Sequence, residues 1–263
     1  MENSEIIYIM EKINQYGWFL LIIFIERLFP NRAYNLHYKG IVSDIFHTFD
    51  PLIKPFIIVS GISFLNYIFP QISNGFFKIP SHWPIWLHIP FIIIISEMSF
   101  YWIHRLVHKN KYLWQFHRVH HSSTMYQSIM TSRFHPIDSS LFVIPYILLI
   151  TLLDINIWVV SCFGLFQGLM DKYGHSNING PRWTGYFISN PHFHAWHHSN
   201  DYDAIDKNFS RDFVFLDYIF KTAYFPKDLK PTSFGDVNYP TNFIVQLYTP
   251  LLNILKILKK NNV

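Results

Sequence analysis

The sequence has almost no cysteine, because Cys162 is the only one in 263 residues. A single cysteine cannot form a disulfide within the chain, and a metal site built on thiolates is excluded. Histidine and carboxylate side chains are the ligands that remain for a metal ion. Any metal site in this protein is therefore predicted to consist of these two side-chain types.

Charged residues are also scarce. They make up 14% of the chain, whereas 50% of the residues are hydrophobic and 19% are aromatic. Such a chain has too few charges to cover a soluble globule and ample apolar surface to face lipid. The net charge of +4 comes from basic residues beside apolar segments, which favours an anionic membrane surface over nucleic acid. We predict an integral membrane protein with no nucleic-acid partner.

Three further sequence signals are missing. The N-terminus has no positively charged region and no small-residue cleavage site, so the apolar segments are expected to stay in the protein as anchors. The composition shows no break that would argue for two domains, so 263 residues are predicted to form one domain over residues 1–263, and no repeat of fixed period is visible. Because no nicotinamide or flavin fingerprint and no haem motif is present, electrons for any redox chemistry must come from another protein.

Hydropathy predicts an all-α membrane bundle with about four membrane-embedded helices. Residues 51–69 and 86–103 are each apolar and long enough to cross a hydrocarbon core of about 30 Å. Residues 18–29 are apolar but short and interrupted by two charges, which predicts a membrane-seated helix that ends at the interface.

The last apolar stretch, residues 141–169, is predicted to form a helical hairpin. Asp154 and Asn156 give a turn signal near its middle. Arms of roughly 20 Å would fall short of the opposite membrane face, so we expect a shallow or kinked hairpin. Lysine and arginine crowd the segments after residues 86–103 and after the hairpin. By the positive-inside rule, these segments form a histidine-rich helical cap on the cytoplasmic side.

Histidine is the most informative residue type. Eleven of the 15 histidines fall between positions 104 and 198, and eight of them form three tight groups. The groups are His104 and His108; His117, His120 and His121; and His194, His197 and His198. Since positions three or four apart on a helix point in similar directions, each group can aim its imidazoles at one centre.

The number of histidines predicts a dinuclear metal centre. Eight imidazoles exceed the four ligands of a tetrahedral zinc site and suffice for two metals with positions left open for dioxygen. His175 lies where a ninth ligand could enter, and Asp171, one turn earlier, could bind a metal or orient His175. The alternative is a structural role, but each of eight imidazoles would then need a hydrogen-bond partner in a largely apolar protein.

These groups resemble the histidine boxes of the fatty acid hydroxylase and sterol desaturase family of membrane di-iron oxygenases. The family pattern is HxxxH followed by two HxxHH boxes, and the similarity extends through the Arg133-Phe-His135-Pro element and the loop that carries Asn208. The resemblance implies a membrane-embedded four-helix core with a cytosolic cap, two iron ions and dioxygen as co-substrate. It also implies a separate electron donor of the cytochrome b5-like or ferredoxin and reductase type. The implied ligands are His104, His108, His117, His120, His121, His175, His194, His197 and His198.

The resemblance also suggests how the single oxygenase domain is divided. N-terminal membrane helices are expected in residues 1–83, the catalytic core in 84–220 and a tail in 221–263. Within the tail, residues 251–260 mix apolar residues with lysines at helical spacing, so they could lie along the membrane surface or pack on the domain. The membrane would be the endoplasmic reticulum in a eukaryote or the cytoplasmic membrane in a bacterium.

Several residues outside the boxes are predicted to support the ligands: Glu97, Arg133, His135, Asp171 and Asn208. Glu97 could hydrogen-bond a ligand histidine, contact a polar head group or lie at the interface. Arg133 and His135 could hydrogen-bond ligands, contact a carboxylate or phosphate, or pack the loop. Two positions depart from the family pattern. Asp138 stands where many members carry glutamate, and Gly174 stands where some carry histidine.

The function implied by the resemblance is an O2-dependent oxidoreductase that hydroxylates or desaturates a lipid. The metal centre itself would do the chemistry, and no separate catalytic residue is assigned. The alternative is a membrane protein that binds or transports metal without redox chemistry. Transporters usually place polar ligands near the membrane midplane, whereas these histidines follow the apolar segments, which favours an enzyme.

Overall fold

The computed structural model describes residues 3–33, 37–48, 83–153 and 155–261, together with a few positions between 49 and 82. Within these residues the chain forms helices and loops, with isolated β-bridges but no β-strand. The all-α prediction is confirmed for this part of the chain. Its α-helices are α1 Asn3–Lys12, α2 Trp18–Leu28, α3 Ile41–Thr48, α4 Ile85–Lys109, α5 Leu113–His117, α6 Pro136–Leu153, α7 Ile157–Gly174, α8 Pro191–His197, α9 Phe215–Ile219 and α10 Phe243–Asn261.

Helices α1 and α2 are joined by a π-helical turn, Ile13–Gly17. One side of α2 is buried at Phe19, Ile22 and Glu26, while Leu20 and Phe24 on other sides are exposed. The three- and four-residue spacing of the buried positions is that of an amphipathic helix. The predicted helix over residues 18–29 is confirmed, and it packs against α7.

Helix α4 has 25 residues and is therefore about 38 Å long. It contains the predicted span 86–103, and by length and composition it is the one helix among the described residues that could cross a membrane. Large apolar side chains such as Trp86, Ile94 and Trp102 remain exposed along it. The other predicted span, residues 51–69, lies almost entirely outside the described residues.

The stretch predicted as a hairpin forms two consecutive helices, α6 and α7. Asn156 caps the N-terminus of α7, because its side chain accepts a hydrogen bond from the backbone N–H of Trp158 at 2.9 Å. Each arm has 18 residues, or about 27 Å, so the prediction of 20 Å arms was wrong. The arms are longer because both helices continue beyond the apolar stretch, to Pro136 on one side and Gly174 on the other.

The end of α4 carries the first histidine box, and the short helices and loops that follow α4 and α7 carry the other two. Helix α10 packs across α3 and α5, and its buried Gln246 bonds Ser43 and His47. Its other faces expose apolar side chains such as Leu251 and Leu255. Within the predicted residues 251–260, Asn253 bonds Gln115 of α5 at 3.1 Å, so this part of α10 packs on the domain, which was one of the two alternatives. An apolar surface remains exposed.

Candidate metal centre

The structure brings all nine predicted histidines together. The last two turns of α4 present two of them, and the segment from α5 into the following 3-10 turn, His120–Ser122, presents three. His175, which caps the end of α7, is the sixth, and α8 with its C-cap supplies the last three. Helix ends converge here because the boxes lie at the same end of α4 and the hairpin.

The nine rings divide into two clusters. The five-histidine cluster contains His104, His108, His117, His121 and His197, and the four-histidine cluster contains His120, His175, His194 and His198. Within each cluster the candidate ligand atoms lie within 4.8 Å of one another. The clusters are adjacent, since the rings of His121 and His198 stack with centroids 4.4 Å apart.

Each HxxHH box contributes to both clusters. In the second box, His117 and His121 lie in the five-histidine cluster while His120 lies in the other. The third box is divided the opposite way, because its i, i+4 pair belongs to the four-histidine cluster and His197 belongs to the five-histidine cluster. The i, i+4 pair of each box stays in one cluster, as expected for one helix face, whereas the histidine three residues after the first joins the other cluster.

Most rings are oriented through Nδ1. Five of them donate from Nδ1 to an oxygen outside the clusters, over 2.7–3.3 Å. The pairs are His104 with the Phe209 carbonyl, His117 with the Asp138 carboxylate, His120 with the Arg133 carbonyl, His175 with the Asp171 carbonyl and His197 with the Lys207 carbonyl. A neutral imidazole that donates from Nδ1 has its lone pair on Nε2. These rings therefore present acceptor nitrogens to the centre.

The spacing of those nitrogens fits metal ions. Nε2 of His120 and Nε2 of His175 are 3.1 Å apart although both rings already donate from Nδ1, so neither can donate to the other. Two nitrogens that are each about 2.1 Å from one ion, with an N–ion–N angle of about 90°, would be about 3.0 Å apart. In addition, the buried Nε2 atoms of His104, His108 and His197 have no hydrogen-bond partner among the described residues. A metal ion in each cluster would satisfy these lone pairs.

Burial keeps the imidazoles neutral. Loss of solvent lowers the pKa of His197 to about 3, against a weaker opposing effect of its bond to the Lys207 carbonyl. The pKa values of His120, His194 and His198 are also lowered well below the usual value. Burial is the largest cause, and electrostatic repulsion from neighbouring imidazoles comes next. A neutral imidazole is the form that binds metal, so the site is ready for ligation at neutral pH.

A cavity of about 450 Å³ lies beside both clusters. Histidines of each cluster line it, among them His104 and His120. Its apolar wall comes from Phe100, Phe134, Phe142, Val143 and Met170, and polar side chains such as Asn14 and Gln167 line other parts. The volume lies within the range of small-molecule sites.

Comparison with known proteins identifies the family. The family model described as fatty acid hydroxylase matches residues 89–222, just over half of the 263 residues. The chain belongs to the fatty acid hydroxylase family. The matched range contains all nine histidines of the two clusters.

Fatty acid hydroxylase relatives carry several different names. An ornithine lipid hydroxylase, OlsE of Rhizobium tropici, is 31% identical over 65% of this chain and 52% of its own. An alkylglycerol monooxygenase of Danio rerio is 27% identical over 64% of this chain and 37% of its own. A putative Delta(7)-sterol-C5(6)-desaturase 2 of Arabidopsis thaliana is 23% identical over 53% and 49%. The chain thus spans about half or less of the length of these relatives, and no solved structure gave a significant match.

In this member of the family, a loop over residues 206–209 supports the five-histidine cluster. The carbonyl groups of Lys207 and Phe209 accept from His197 and His104. Asn208, predicted as a supporting residue, lies between them with a φ of 58°. Its side chain donates to the carbonyls of Phe193 and Tyr224 and accepts from the Tyr224 N–H, at 2.7–2.9 Å. Asn208 therefore fixes the loop and not a histidine directly.

Two other predicted residues contact ligand histidines through backbone atoms. The Asp171 carbonyl accepts from His175 at 2.7 Å, while the Asp171 carboxylate is 3.9 Å away. The Arg133 carbonyl accepts from His120 at 3.3 Å, and the Arg133 side chain pairs with Asp44. Both residues therefore orient a ring, but their side chains do not bind it.

The remaining two predicted residues act elsewhere. Glu97 is fully buried and accepts hydrogen bonds from the N–H groups of Asp212 and Phe213 at 3.2 and 3.4 Å. Through these bonds Glu97 holds residues 212–213, which follow the 206–209 loop, against α4. Among the described contacts it makes no hydrogen bond to a histidine. His135 bonds the Leu247 carbonyl at 2.9 Å and so holds α10. Both contacts stabilise the fold around the centre.

Sequence reasoning missed three supporting carboxylates. Asp138 binds His117 at 2.9 Å, and Asp44 pairs with Arg133. Glu26 accepts from the backbone N–H of Ser128 and of Asn177, and so holds the segments near both the second box and His175. A carboxylate inside an apolar segment was the available signal for Glu26.

Proposed function

We propose that this protein is a membrane-bound di-iron oxygenase that hydroxylates, or desaturates, a lipid with dioxygen. The observation that carries the proposal is the pair of adjacent histidine clusters beside an apolar cavity. Five histidines would hold one iron ion and four would hold the other, with open positions left for dioxygen. The nine proposed ligands are the cluster residues named above.

Bound iron would supply the reduction of dioxygen and the oxidation of an unactivated C–H bond. The protein contributes orientation, since the Nδ1 contacts fix the rings that would bind metal. Apolar cavity walls, including Phe100 and Phe142, exclude water from the reacting carbon. Loss of one hydrogen followed by oxygen transfer would give an alcohol, and loss of a second hydrogen would give a double bond.

A lipid substrate agrees with the composition of the cavity and with the names of the relatives. The relatives include a lipid hydroxylase, a monooxygenase of alkylglycerol and a putative sterol desaturase. Hydroxylation is our first choice because the ornithine lipid hydroxylase shares 31% identity over 176 residues. The other activities are distinguished from it by the product alone.

We place the enzyme in a membrane as one domain over residues 1–263. About four membrane-embedded helices, among them α4 and the α6–α7 hairpin, would form the core, and the histidine-bearing segments would form a cap. The N-terminal helices would extend to residue 83, the catalytic core over 84–220, and the tail over 221–263. Because basic residues crowd the cap, we assign it to the cytoplasmic side.

We infer a separate electron-donor protein of the cytochrome b5-like or ferredoxin and reductase type. The chain carries no nicotinamide, flavin or haem motif. Basic side chains of the cap, such as Lys111, give a surface that attracts an acidic partner. Omission of the donor from a reconstituted reaction should abolish product.

Metal analysis combined with a product search tests the proposal. Detergent-purified protein loaded anaerobically with ferrous iron should contain about two irons per chain. With a donor, dioxygen and membrane lipids, mass spectrometry should find a lipid that has gained one oxygen atom or lost two hydrogens. Freely exchanging zinc, no iron uptake under reducing conditions and no product would instead support metal binding or transport.

Asp138→Asn should weaken metal binding in the five-histidine cluster by about 10–100-fold. The Asp138 carboxylate is fully buried and accepts from Nδ1 of His117, so its charge makes that ring a stronger ligand. Asparagine keeps the size of the side chain but not the charge. The measurement is competition with a metal chelator. Asp236→Asn is the control, because the Asp236 carboxylate pairs with Arg118 at a partly exposed site and contacts no histidine among the described residues. Unchanged affinity in Asp138→Asn would contradict this role.

A further inference from the structure

Two basic side chains line the cavity beside the histidine clusters. Lys172 lies in the last turn of α7, and Arg211 lies in the segment that follows the 206–209 loop. The guanidinium carbon of Arg211 is 5.4 Å from the centre of the Phe100 ring, and that ring is 5.2 Å from the ring of His104. A positive charge is therefore present at the apolar wall of the cavity, close to the five-histidine cluster.

The charge on the cavity lining is positive on balance. Among the described residues that line the cavity, Asp171 is the only acidic one. Burial lowers the pKa of lining histidines such as His120 and His194, so these rings are neutral. The Asp212 carboxylate is nearby but does not line the cavity, and its Oδ1 atom is 3.9 Å from Arg211 Nε, beyond hydrogen-bond distance. Two cations thus face one carboxylate across the lining.

Both basic side chains suit an anionic ligand. The Arg211 side chain is 24% exposed, and a guanidinium offers several N–H donors in a planar arrangement that matches the oxygens of a carboxylate or a phosphate. Lys172 Nζ donates to the Gly168 carbonyl at 3.3 Å, which holds the ammonium along α7, where its charge adds to that of Arg211. Aromatic walls lower the local dielectric constant and so strengthen the attraction to an anion.

We propose that Arg211 binds the anionic phosphate or carboxylate group of a lipid in this cavity, and that the charge of Lys172 strengthens the binding. The proposal rests on the proposed function, because it takes the cavity as the lipid site. The apolar wall, which includes Phe100, Phe142 and Val143, would cover the hydrocarbon next to the anionic group. The favoured substrate class is therefore an anionic lipid and not a neutral sterol or alcohol.

Three matched lipids test the contact without requiring turnover. Hexadecanol is neutral, whereas hexadecyl phosphate and hexadecanoate have a chain of the same length and an anionic end. Radiolabelled forms are bound at equilibrium to the full-length protein in an uncharged detergent, at a mildly alkaline pH where both acids are ionised and lysine and arginine keep their charge. For each variant, the Kd of each anionic lipid is compared with that of the alcohol. Partition into micelles affects all variants equally, and the metal content of each variant is measured because bound metal also attracts anions.

In Arg211→Gln, the preference for the anionic lipid should fall by about fivefold to twentyfold relative to the wild type, as expected for a partly exposed charge-assisted contact. Lys172→Gln should lower it by about twofold to fivefold, because only a more distant charge is lost. Arg211→Lys should keep more of the preference than Arg211→Gln, since it retains the charge. The control is Lys227→Gln, which removes the same charge at an exposed residue that is not part of the cavity lining. This control should keep the wild-type preference.

An unchanged preference for both anionic lipids in Arg211→Gln would overturn the inference, and so would a fall of the same size in Lys227→Gln. A fall for hexadecyl phosphate alone would assign the site to a phosphate group, and a fall for hexadecanoate alone would assign it to a carboxylate. The binding result is independent of the oxidation assay. A shifted preference without any lipid oxidation would refute the proposed function and leave the Arg211 contact standing. Lipid oxidation with an unchanged preference would do the reverse.

Discussion

Replacing His120 and His197 together by alanine should remove both metal ions, whereas replacing His120 and His198 together should remove only one. His197 and His198 are adjacent in sequence but belong to different clusters. His120 and His198 belong to the same four-histidine cluster, so the second double variant leaves the five-histidine cluster intact. We expect near zero and about one iron per chain, respectively, against about two in the wild type.

The size of the effect follows from the role of the removed groups. Loss of a residue that only supports a ligand costs about 10–100-fold in metal affinity, and loss of a ligand itself should exceed this. Turnover should fall by more than about 100-fold in both double variants, because dioxygen reduction would need both ions. Elemental analysis gives the metal count, and product formation gives the turnover.

His192→Ala is the matched control for these variants. His192 is a buried histidine two positions before His194, but it belongs to neither cluster and bonds the Gly180 carbonyl at 3.0 Å. This variant should keep about two irons. If the two double variants kept equal amounts of metal, the division of the boxes between two clusters would be wrong.

The sequence was sufficient to predict that the nine histidines meet, but not how they divide. Helical spacing gives the direction of side chains within one continuous helix. Helix α5 ends at His117 and the chain tightens into a 3-10 turn at His120–Ser122, so the direction of His120 depends on that local change. Its cluster also depends on where α7 and α8 lie, and no local pattern contains this information.

The backbone carbonyls that orient the ligand histidines could not be predicted from the sequence either. The carbonyls that orient His104 and His197 belong to Phe209 and Lys207, and any residue type has a carbonyl. Their positions depend on the left-handed backbone of Asn208, a conformation that asparagine adopts more readily than most residues. The resemblance indicated Asn208, but the physical reason is visible only in the folded loop.

Long apolar helices were predicted with mixed success. The predicted span within α4 and the two helices α6 and α7 follow from long apolar stretches, with a capping residue before α7. Hairpin length was underestimated, because hydropathy marks only the apolar part of a helix and α6 and α7 extend past it. Glu97 lies two turns from His104, yet it binds the backbone at residues 212–213, since a buried carboxylate takes the nearest donors.

Asp44→Ala should destabilise the protein by about 3–5 kcal/mol, because it leaves the buried Arg133 guanidinium without its counter-ion. The two side chains pair through Arg133 Nε and are 2% and 0% exposed. Asp44 also accepts from the Tyr38 hydroxyl, and Arg133 also donates to Ser122 and Gly40. The apparent unfolding temperature in detergent should fall by on the order of 10 °C.

A second ion pair in the same chain provides the comparison. Arg118 and Asp236 are 37% and 27% exposed, so Asp236→Ala should cost no more than about 1 kcal/mol. The double variant Asp44→Leu and Arg133→Met should be more stable than Asp44→Ala, because it removes both buried charges. Equal losses of unfolding free energy in Asp44→Ala and Asp236→Ala would refute the difference that burial predicts.

Asp44→Ala should also weaken metal binding in the four-histidine cluster under conditions in which the chain is still folded, because the Arg133 carbonyl orients His120.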